Sequence, residues 1–355
     1  MVVFLPVKPR VAFYGNNSHG IGAGHIMRLY ALAQAAQVFF DITFIYKTCS
    51  LPLLNKLHQA NFNTQQIAAP LSTDELLPHA FTAIIVDDYD LTTDEWLQLN
   101  QLTIFIVKLD DALDHQPIWA DFVINPAPNV SLEEYRQRAP NATFCLGPQY
   151  TYLRKEFAAQ DYIPIAERPD LLIALGGTDP KSLALPLSRA IIDALPEAHV
   201  CLLIGQVHQQ QRALELLAKQ HSNFSIICNP PSVAQIMMQS GLAISAAGGT
   251  LGELASQGVP TLALVTVDNQ LPALGSPLNN SWYYAIDTRA FDCNQADTQI
   301  NNDLLSKIKV DAVNLWHDKC LRQDMSDIAR QLIDSQGCQR IIRQLIVSIQ
   351  QKSEL

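Results

Sequence analysis

Ser245-Ala246-Ala247-Gly248-Gly249-Thr250-Leu251-Gly252-Glu253-Leu254-Ala255-Ser256-Gln257-Gly258-Val259-Pro260 reads as a joint between a buried strand and a helix. The apolar run Leu242 to Ala247 has strand character, and it delivers a glycine pair into a helix-forming segment, Leu251 to Ser256. Gly258 is a natural C-terminal stop, and Val259-Pro260 opens the next apolar run, Thr261 to Val267. Strand, glycine turn, helix and strand in that order form the repeating unit of a parallel sheet.

The same joint has a chemical reading. Glycines at a helix start let a ligand approach backbone N–H groups, and the helix dipole favours an anion there. Glu253, about one turn in, is placed to accept hydrogen bonds from ribose hydroxyls. Gly248, Gly249, Thr250 and Glu253 therefore read as a diphosphate-plus-ribose site, suited to a nucleotide sugar. The other reading is an ordinary strand–turn–helix with no ligand.

Outward from this joint, strand-like and helix-like segments alternate along nearly the whole chain, which predicts an α/β protein with parallel sheets. In the first half, strands are expected at Val11–Tyr14, Ile42–Tyr46, Ala83–Asp87, Ile104–Val107 and Phe122–Ile124, with helices at His25–Gln37, Leu53–Gln59 and Asp94–Leu99. The second half restarts at Leu171–Leu175, followed by strands near Val200–Ile204, Phe224–Ile227, Leu242–Ser245 and Leu262–Val265. Prolines around 160–169 interrupt the rhythm. Helical sequence is expected from Val313 onward, with Val313, Trp316 and Cys320 on one apolar face and Met325, Ile328 and Leu332 on another. The expected division is residues 1–160, residues 161–330, and a C-terminal helix over 331–355 free to pack back on the first domain. A chain of 355 residues suits two cores better than one.

Composition narrows the function classes. Hydrophobic residues make up 48% and charged residues 16%, as in a well-buried globular protein. A formal net charge of −10 argues against general binding to nucleic acid or acidic membranes, so an anionic substrate needs local donors. Neither a signal sequence nor an apolar run of membrane-spanning length is visible. The seven cysteines form no C-x-x-C pair, and Cys201 and Cys228 fall in apolar runs, as expected of buried free thiols in a reducing, cytoplasmic setting.

Each half ends its first strand in a glycine-bearing loop, Gly20-Ile21-Gly22-Ala23-Gly24 in the first and Gly176-Gly177-Thr178-Asp179-Pro180 in the second. Ligands bind outside the carboxyl ends of the strands in open parallel sheets, so both loops, with Gly24 and Gly177, are expected at a cleft between the domains. The first loop lacks the third glycine of a dinucleotide fingerprint. His25 opens the following helix, where the dipole lowers its pKa and leaves a neutral imidazole able to take a proton from water. A histidine packed in a tight turn is the alternative. Arg28, one turn on, suits either phosphate or a carboxylate.

Acidic residues gather at two strand ends, Asp87-Asp88-Tyr89-Asp90 and Asp110-Asp111. Asp88-Tyr89-Asp90 has the form of a metal-holding Asp-x-Asp, but carboxylates at strand ends also cap turns or face solvent. Asp88 or Tyr89 is placed to contact a sugar hydroxyl. Asn269-Gln270, after the following strand, offers amides to sugar or phosphate, or an N-cap.

Taken in order, Gly22-x-Gly24-His25-x-x-Arg28, Val86 to Asp90, Asp110-Asp111, Leu146-Gly147-Pro148-Gln149-Tyr150, Gly176 to Pro180, Gly248-Gly249-Thr250-x-x-Glu253 and Asn269-Gln270 resemble the bacterial nucleotide-sugar hydrolases of pseudaminic acid biosynthesis. These are the UDP-2,4-diacetamido-2,4,6-trideoxy-β-L-altropyranose hydrolases, related to spore-coat polysaccharide biosynthesis proteins. The resemblance spans residues 10 to 343. It implies the GT-B fold, two Rossmann-like domains with UDP on the second and the sugar and catalytic groups on the first. By the same resemblance His25 is the base that activates water, Tyr89 assists at the sugar, and Gly177 and the Gly248–Glu253 segment hold UDP. It further implies cleavage to free sugar and UDP with neither metal nor cofactor. A glycosyltransferase of the same architecture and a non-catalytic nucleotide-sugar-binding protein are the alternatives; the oligomeric state is not legible.

Overall fold

The computed structural model describes the chain apart from residues 1–7, 18–23, 69–80, 102–103, 112–115, 129, 159–160, 177–178, 180, 206–207, 276–280, 293–298 and 354–355. It divides into two compact units, Met1–Lys155 with Gln336–Leu355, and Glu156–Ser335.

The first unit holds a seven-stranded sheet: β1 (Arg10–Gly15), β2 (Asp41–Tyr46), β3 (Asn63–Gln66), β4 (Ala83–Asp87), β5 (Phe105–Leu109), β6 (Phe122–Asn125) and β7 (Thr143–Leu146). The strands lie in the order β3-β2-β1-β4-β5-β6-β7, with every pair parallel. Chain direction across the sheet reverses at the β1–β4 boundary, where crossovers leave toward opposite faces and open a crevice at the strand ends. Alternate residues of β1 serve opposite cores. Val11 and Phe13 pack under α1 (Gly24–Ala36), whereas Ala12 and Tyr14 join Ile45, Ile84 and Trp96 on the other face. The last helix of the chain, Gly337–Ser353, belongs to this unit, and its Ile341, Ile342, Leu345 and Ile349 enter the α1 core. Burying each such side chain is worth about 1.5–3 kcal/mol. Its first residue passes so near Thr151 that a Cβ on Gly337 would clash with the Thr151 carbonyl oxygen.

The second unit repeats the plan with β8 (Asp170–Ala174), β9 (His199–Ile204), β10 (Phe224–Cys228), β11 (Ser240–Ala246), β12 (Thr261–Val265) and β13 (Tyr283–Asp287). The order is β10-β9-β8-β11-β12-β13, again with every pair parallel, and the reversal lies between β8 and β11. Leu171, Ile173, Leu202, Leu242 and Ile244 pack on one face against Leu187 and Ile191 of helix Ala184–Ala194 and against Ile308, Ala312 and Leu315 of helix Gln299–His317.

The structure corrects three expectations. The long helix begins at Gln299 instead of Val313, and its inward stripe is Ile308, Ala312 and Leu315. Trp316 lies only at the margin of that core, while Cys320 and Leu332 are exposed. Cys228 is exposed, because β10 is an edge strand whose last residue lies outside the packed faces. The strands β3, β7 and β13, absent from the sequence expectation, are all edges. Cys145, Cys201 and Cys338 are buried free thiols. Among the described residues no helix is long and apolar enough to cross a membrane.

Candidate functional site

In the first unit the site is assembled from the carboxyl ends of β1, β4 and β5, on either side of the reversal. His25 is the second residue of α1, is 6% exposed, and has its ring against the end of β4. Its Nδ1 lies 2.8 Å from the Asp87 backbone carbonyl oxygen and 3.1 Å from the Asp87 carboxylate. Both partners only accept, so the proton is assigned to Nδ1 and the lone pair to Nε2. This is the tautomer a general base needs, with the carboxylate behind the ring able to stabilise the imidazolium that forms.

The charge balance differs from the sequence expectation of a lowered pKa. Burial does disfavour the imidazolium, but the hydrogen bond and charge of Asp87 outweigh burial and the neighbouring Arg28. His25 is therefore more basic than an ordinary histidine. The helix dipole, on which the expectation rested, is overridden by a full charge in contact. Burial would raise the Asp87 carboxyl, yet the Arg28 guanidinium and His25 hold it below the usual carboxylate range.

Arg28 is committed to carboxylates. Its Nε and Nη2 donate to the two oxygens of Asp87 at 2.9 and 2.7 Å, a bidentate pair, and its Nη1 donates to Asp111. Of the two sequence readings, carboxylate binding is the one found. Tyr89 closes the ring of contacts. It stands edge-on to His25 with centroids 4.4 Å apart, its hydroxyl donates to Asp111 at 2.5 Å, and the residue is 44% exposed. His25, Asp87, Arg28, Asp111 and Tyr89 thus form one connected array.

Consecutive acids at each strand end do different work. Asp88 accepts from Asn16 Nδ2 at 2.7 Å and from its own turn, the Asp90 backbone N–H, at 3.0 Å. Asp110 accepts from the Tyr135 hydroxyl at 2.7 Å and from Arg138 at 3.2 Å. Both are buried and structural in their contacts, whereas Asp87 and Asp111 face the array. Gly24, the first residue of α1, is exposed, and apart from its chain neighbours and its own helix backbone no described heavy atom lies within 4 Å of where a Cβ would project.

In the second unit the glycine pair lies as the opening segment predicts. The helix Gly249–Ser256 starts directly after β11, with Gly248 at the N-cap and no side chain capping it. The first-turn amides of a helix have no intrahelical acceptor. Apart from its chain neighbours and its own helix backbone, no described heavy atom lies within 4 Å of where a Cβ would project from Gly249, and at Gly248 the nearest is Gln270 Nε2, at 3.4 Å. Gln270 is fixed by its own Oε1, which accepts from the Thr266 backbone N–H at 2.9 Å and from the Thr266 hydroxyl at 3.2 Å. Its amide nitrogen is thereby set beside the glycine turn. Thr250 and Glu253 lie on this helix, and Asn269 is exposed. Gly258 ends the segment with φ +63° and its N–H on the Ala255 carbonyl. Gly177 lies outside the described residues; its neighbour Gly176 has φ +86°.

Structure thus brings His25, Tyr89 and Arg28 together in one unit, and Gly248, Gly249 and Gln270 together in the other. Asp87 and Asp111 are named among the strand-end acids in the sequence but given no role there. Their available signal was position, as acids at the ends of strands that flank a glycine loop.

No family model matches the chain. The UDP-2,4-diacetamido-2,4,6-trideoxy-β-L-altropyranose hydrolase of Campylobacter jejuni is 22% identical over 264 residues, covering 74% of this chain and 93% of that protein. The spore coat polysaccharide biosynthesis protein SpsG of Bacillus subtilis is 25% identical over 276 residues, covering 73% and 78%. Among solved structures, MurG of Acinetobacter baumannii superposes with a TM-score of 0.61 at 13% identity over 95% of this chain and 98% of that one. The fold is that of the GT-B glycosyltransferases. The two relatives support the resemblance drawn from the motifs.

Proposed function

We propose that this chain is a nucleotide-sugar hydrolase that splits a UDP-linked acetamido-deoxysugar into free sugar and UDP. The carrying observation is the His25–Asp87 pair, an imidazole with its proton held on Nδ1 by a buried carboxylate at the sheet reversal. His25 Nε2 takes a proton from water as the water oxygen bonds to the anomeric carbon. The bond from that carbon to the phosphate oxygen breaks, and its electron pair leaves with UDP. Asp87 stabilises the imidazolium, and Arg28 offsets the charge of Asp87 and Asp111, which would otherwise repel a diphosphate.

In the same reading the second unit grips the nucleotide. Backbone amides at Gly248, Gly249 and Thr250 take the diphosphate and stabilise the charge that grows on the leaving group, and Glu253 takes the ribose. Gly177, Asn269 and Gln270 are assigned to the same nucleotide and Gly24 to the sugar. Tyr89 lines the sugar side and holds the ring of His25 in place. The C. jejuni relative carries the hydrolase name, which supports this substrate class.

The fold, shared with structures named as glycosyltransferases, leaves a second reading, transfer of the sugar to an acceptor. Incubation with UDP-linked diacetamido-trideoxy sugars and no acceptor separates the two. Hydrolysis predicts free sugar and UDP in equal amounts, whereas acceptor-dependent release alone would establish the transferase. His25→Ala should lower kcat by about 10²–10⁴-fold with UDP affinity nearly unchanged. Equal loss of both would make the histidine structural.

A further inference from the structure

Away from the carboxyl-end loops, β8 and β9 begin side by side, with Asp170 opposite His199 and Leu172 opposite Cys201 in the parallel register. Strand alternation puts His199 and Cys201 on one face of the sheet, and the register puts Asp170 on that same face. His199 Nδ1 lies 2.9 Å from Asp170 Oδ1 and 3.5 Å from Cys201 Sγ. All three donor atoms fall within 4.8 Å of one another. Among the described residues no other group of three or more His, Cys, Asp or Glu side chains converges in this way.

These separations can be compared with a real coordination sphere. A tetrahedral zinc with bonds of about 2.3 Å to sulfur and about 2.05 Å to nitrogen sets those two ligands about 3.6 Å apart. The nitrogen–sulfur edge, at 3.5 Å, already has that length. The nitrogen–oxygen edge of such a site is about 3.3 Å, so the Asp170–His199 contact needs only a small opening. The His199 side chain is 42% exposed and the Asp170 side chain 19%, so a cation can reach the pair from solvent. Ser225 stands opposite Cys201 on β10, and its hydroxyl donates to Sγ at 3.5 Å. A hydroxyl donor behind a ligating sulfur is the outer support that thiolate sites use.

We propose that Asp170, His199 and Cys201 form a binding site for one thiophilic divalent cation of the zinc class, with solvent in the fourth position. The thiolate and imidazole select such a cation over magnesium or calcium, which prefer all-oxygen ligands. The site lies at the amino ends of its strands, whereas the glycine turn follows the carboxyl end of β11. Its role is therefore a clamp between β8 and β9, separate from nucleotide chemistry.

Cobalt(II) is the probe, because it occupies zinc sites and gives a thiolate charge-transfer absorption band. The 355-residue chain, stripped of metal by chelation and dialysis, is titrated with cobalt and then with zinc. The expected result is a band that saturates at one equivalent and is displaced by zinc. It should be lost in Cys201→Ser, and cobalt affinity should fall at least tenfold in His199→Gln. Cys228→Ser and Cys320→Ser, at the exposed thiols, should leave it unchanged. As a second readout, zinc should raise the Tm of the wild type and not of His199→Gln, whose partly exposed side chain tolerates the change. No band, or a band that survives Cys201→Ser or disappears in Cys228→Ser, overturns the proposal.

Discussion

The pairing of His25 with Asp87 shows how contact charge governs a site. A helix start favours a neutral imidazole by a fraction of a charge spread over a turn. A buried carboxylate at 3.1 Å acts with a full one, and the imidazole becomes more basic than usual. Since the unprotonated form is the base, activity should fall on the acid side with a midpoint above the ordinary value of about 6.5. Replacing Asp87 with Asn removes the charge that raises His25, so the acid limb of a kcat profile should move to lower pH. The rate at its plateau should drop by about a hundredfold or more. An acid limb that stays in place would show that Asp87 does not set it. The histidine and the acidic strand ends were legible as residues. Which of two adjacent acids turns toward the ring was not, because Asp87 is the last residue of β4 and Asp88 the first beyond it, and the sequence does not mark where the strand ends.

At the scale of elements, legibility followed burial. Central strands such as Ala83–Asp87 and Leu242–Ser245 are packed on both faces and read as continuous apolar runs. The edge strand β3 is Asn-Thr-Gln-Gln, held by backbone pairing to β2 with no apolar pattern to betray it. The start of helix Gln299–His317 was hidden for a related reason: Asn301 is buried there, its side chain exchanging hydrogen bonds with the Asp292 backbone. The helix Gly249–Ser256, by contrast, announced itself through the glycines that flank it. If its N-terminal amides hold diphosphate and Glu253 holds ribose, Glu253→Ala should weaken UDP binding by about 1.5–3 kcal/mol, roughly ten- to a hundredfold. Isothermal titration with UDP measures this directly; an unaltered dissociation constant removes Glu253 from the ribose site.

For the molecule as a whole, the alternation of strands and helices was enough to indicate two parallel-sheet units, and the structure has two. The sequence expectation leaves a C-terminal helix over 331–355 to pack back on the first domain; residues 336–355 belong to that unit, and the apolar stripe alone does not say which side chains it meets there. Truncation after Ser335 would strip Ile341, Ile342, Leu345 and Ile349 from the core beneath α1. The first unit should then lose its protection against amide hydrogen exchange across β1 and β4, while β8 and β11 keep theirs. Full protection of β1 in the truncated chain would mean that the helix contributes little to that core.

Isotope placement shows whether a basic His25 directs water onto the anomeric carbon while UDP departs. The chain is supplied with a UDP-linked diacetamido-trideoxy sugar in water enriched in heavy oxygen, and the products are weighed by mass spectrometry. Hydrolysis at the anomeric carbon puts the label in the free sugar at its anomeric hydroxyl and none in UDP. Label in the UDP phosphate, or no release without an acceptor, would contradict it.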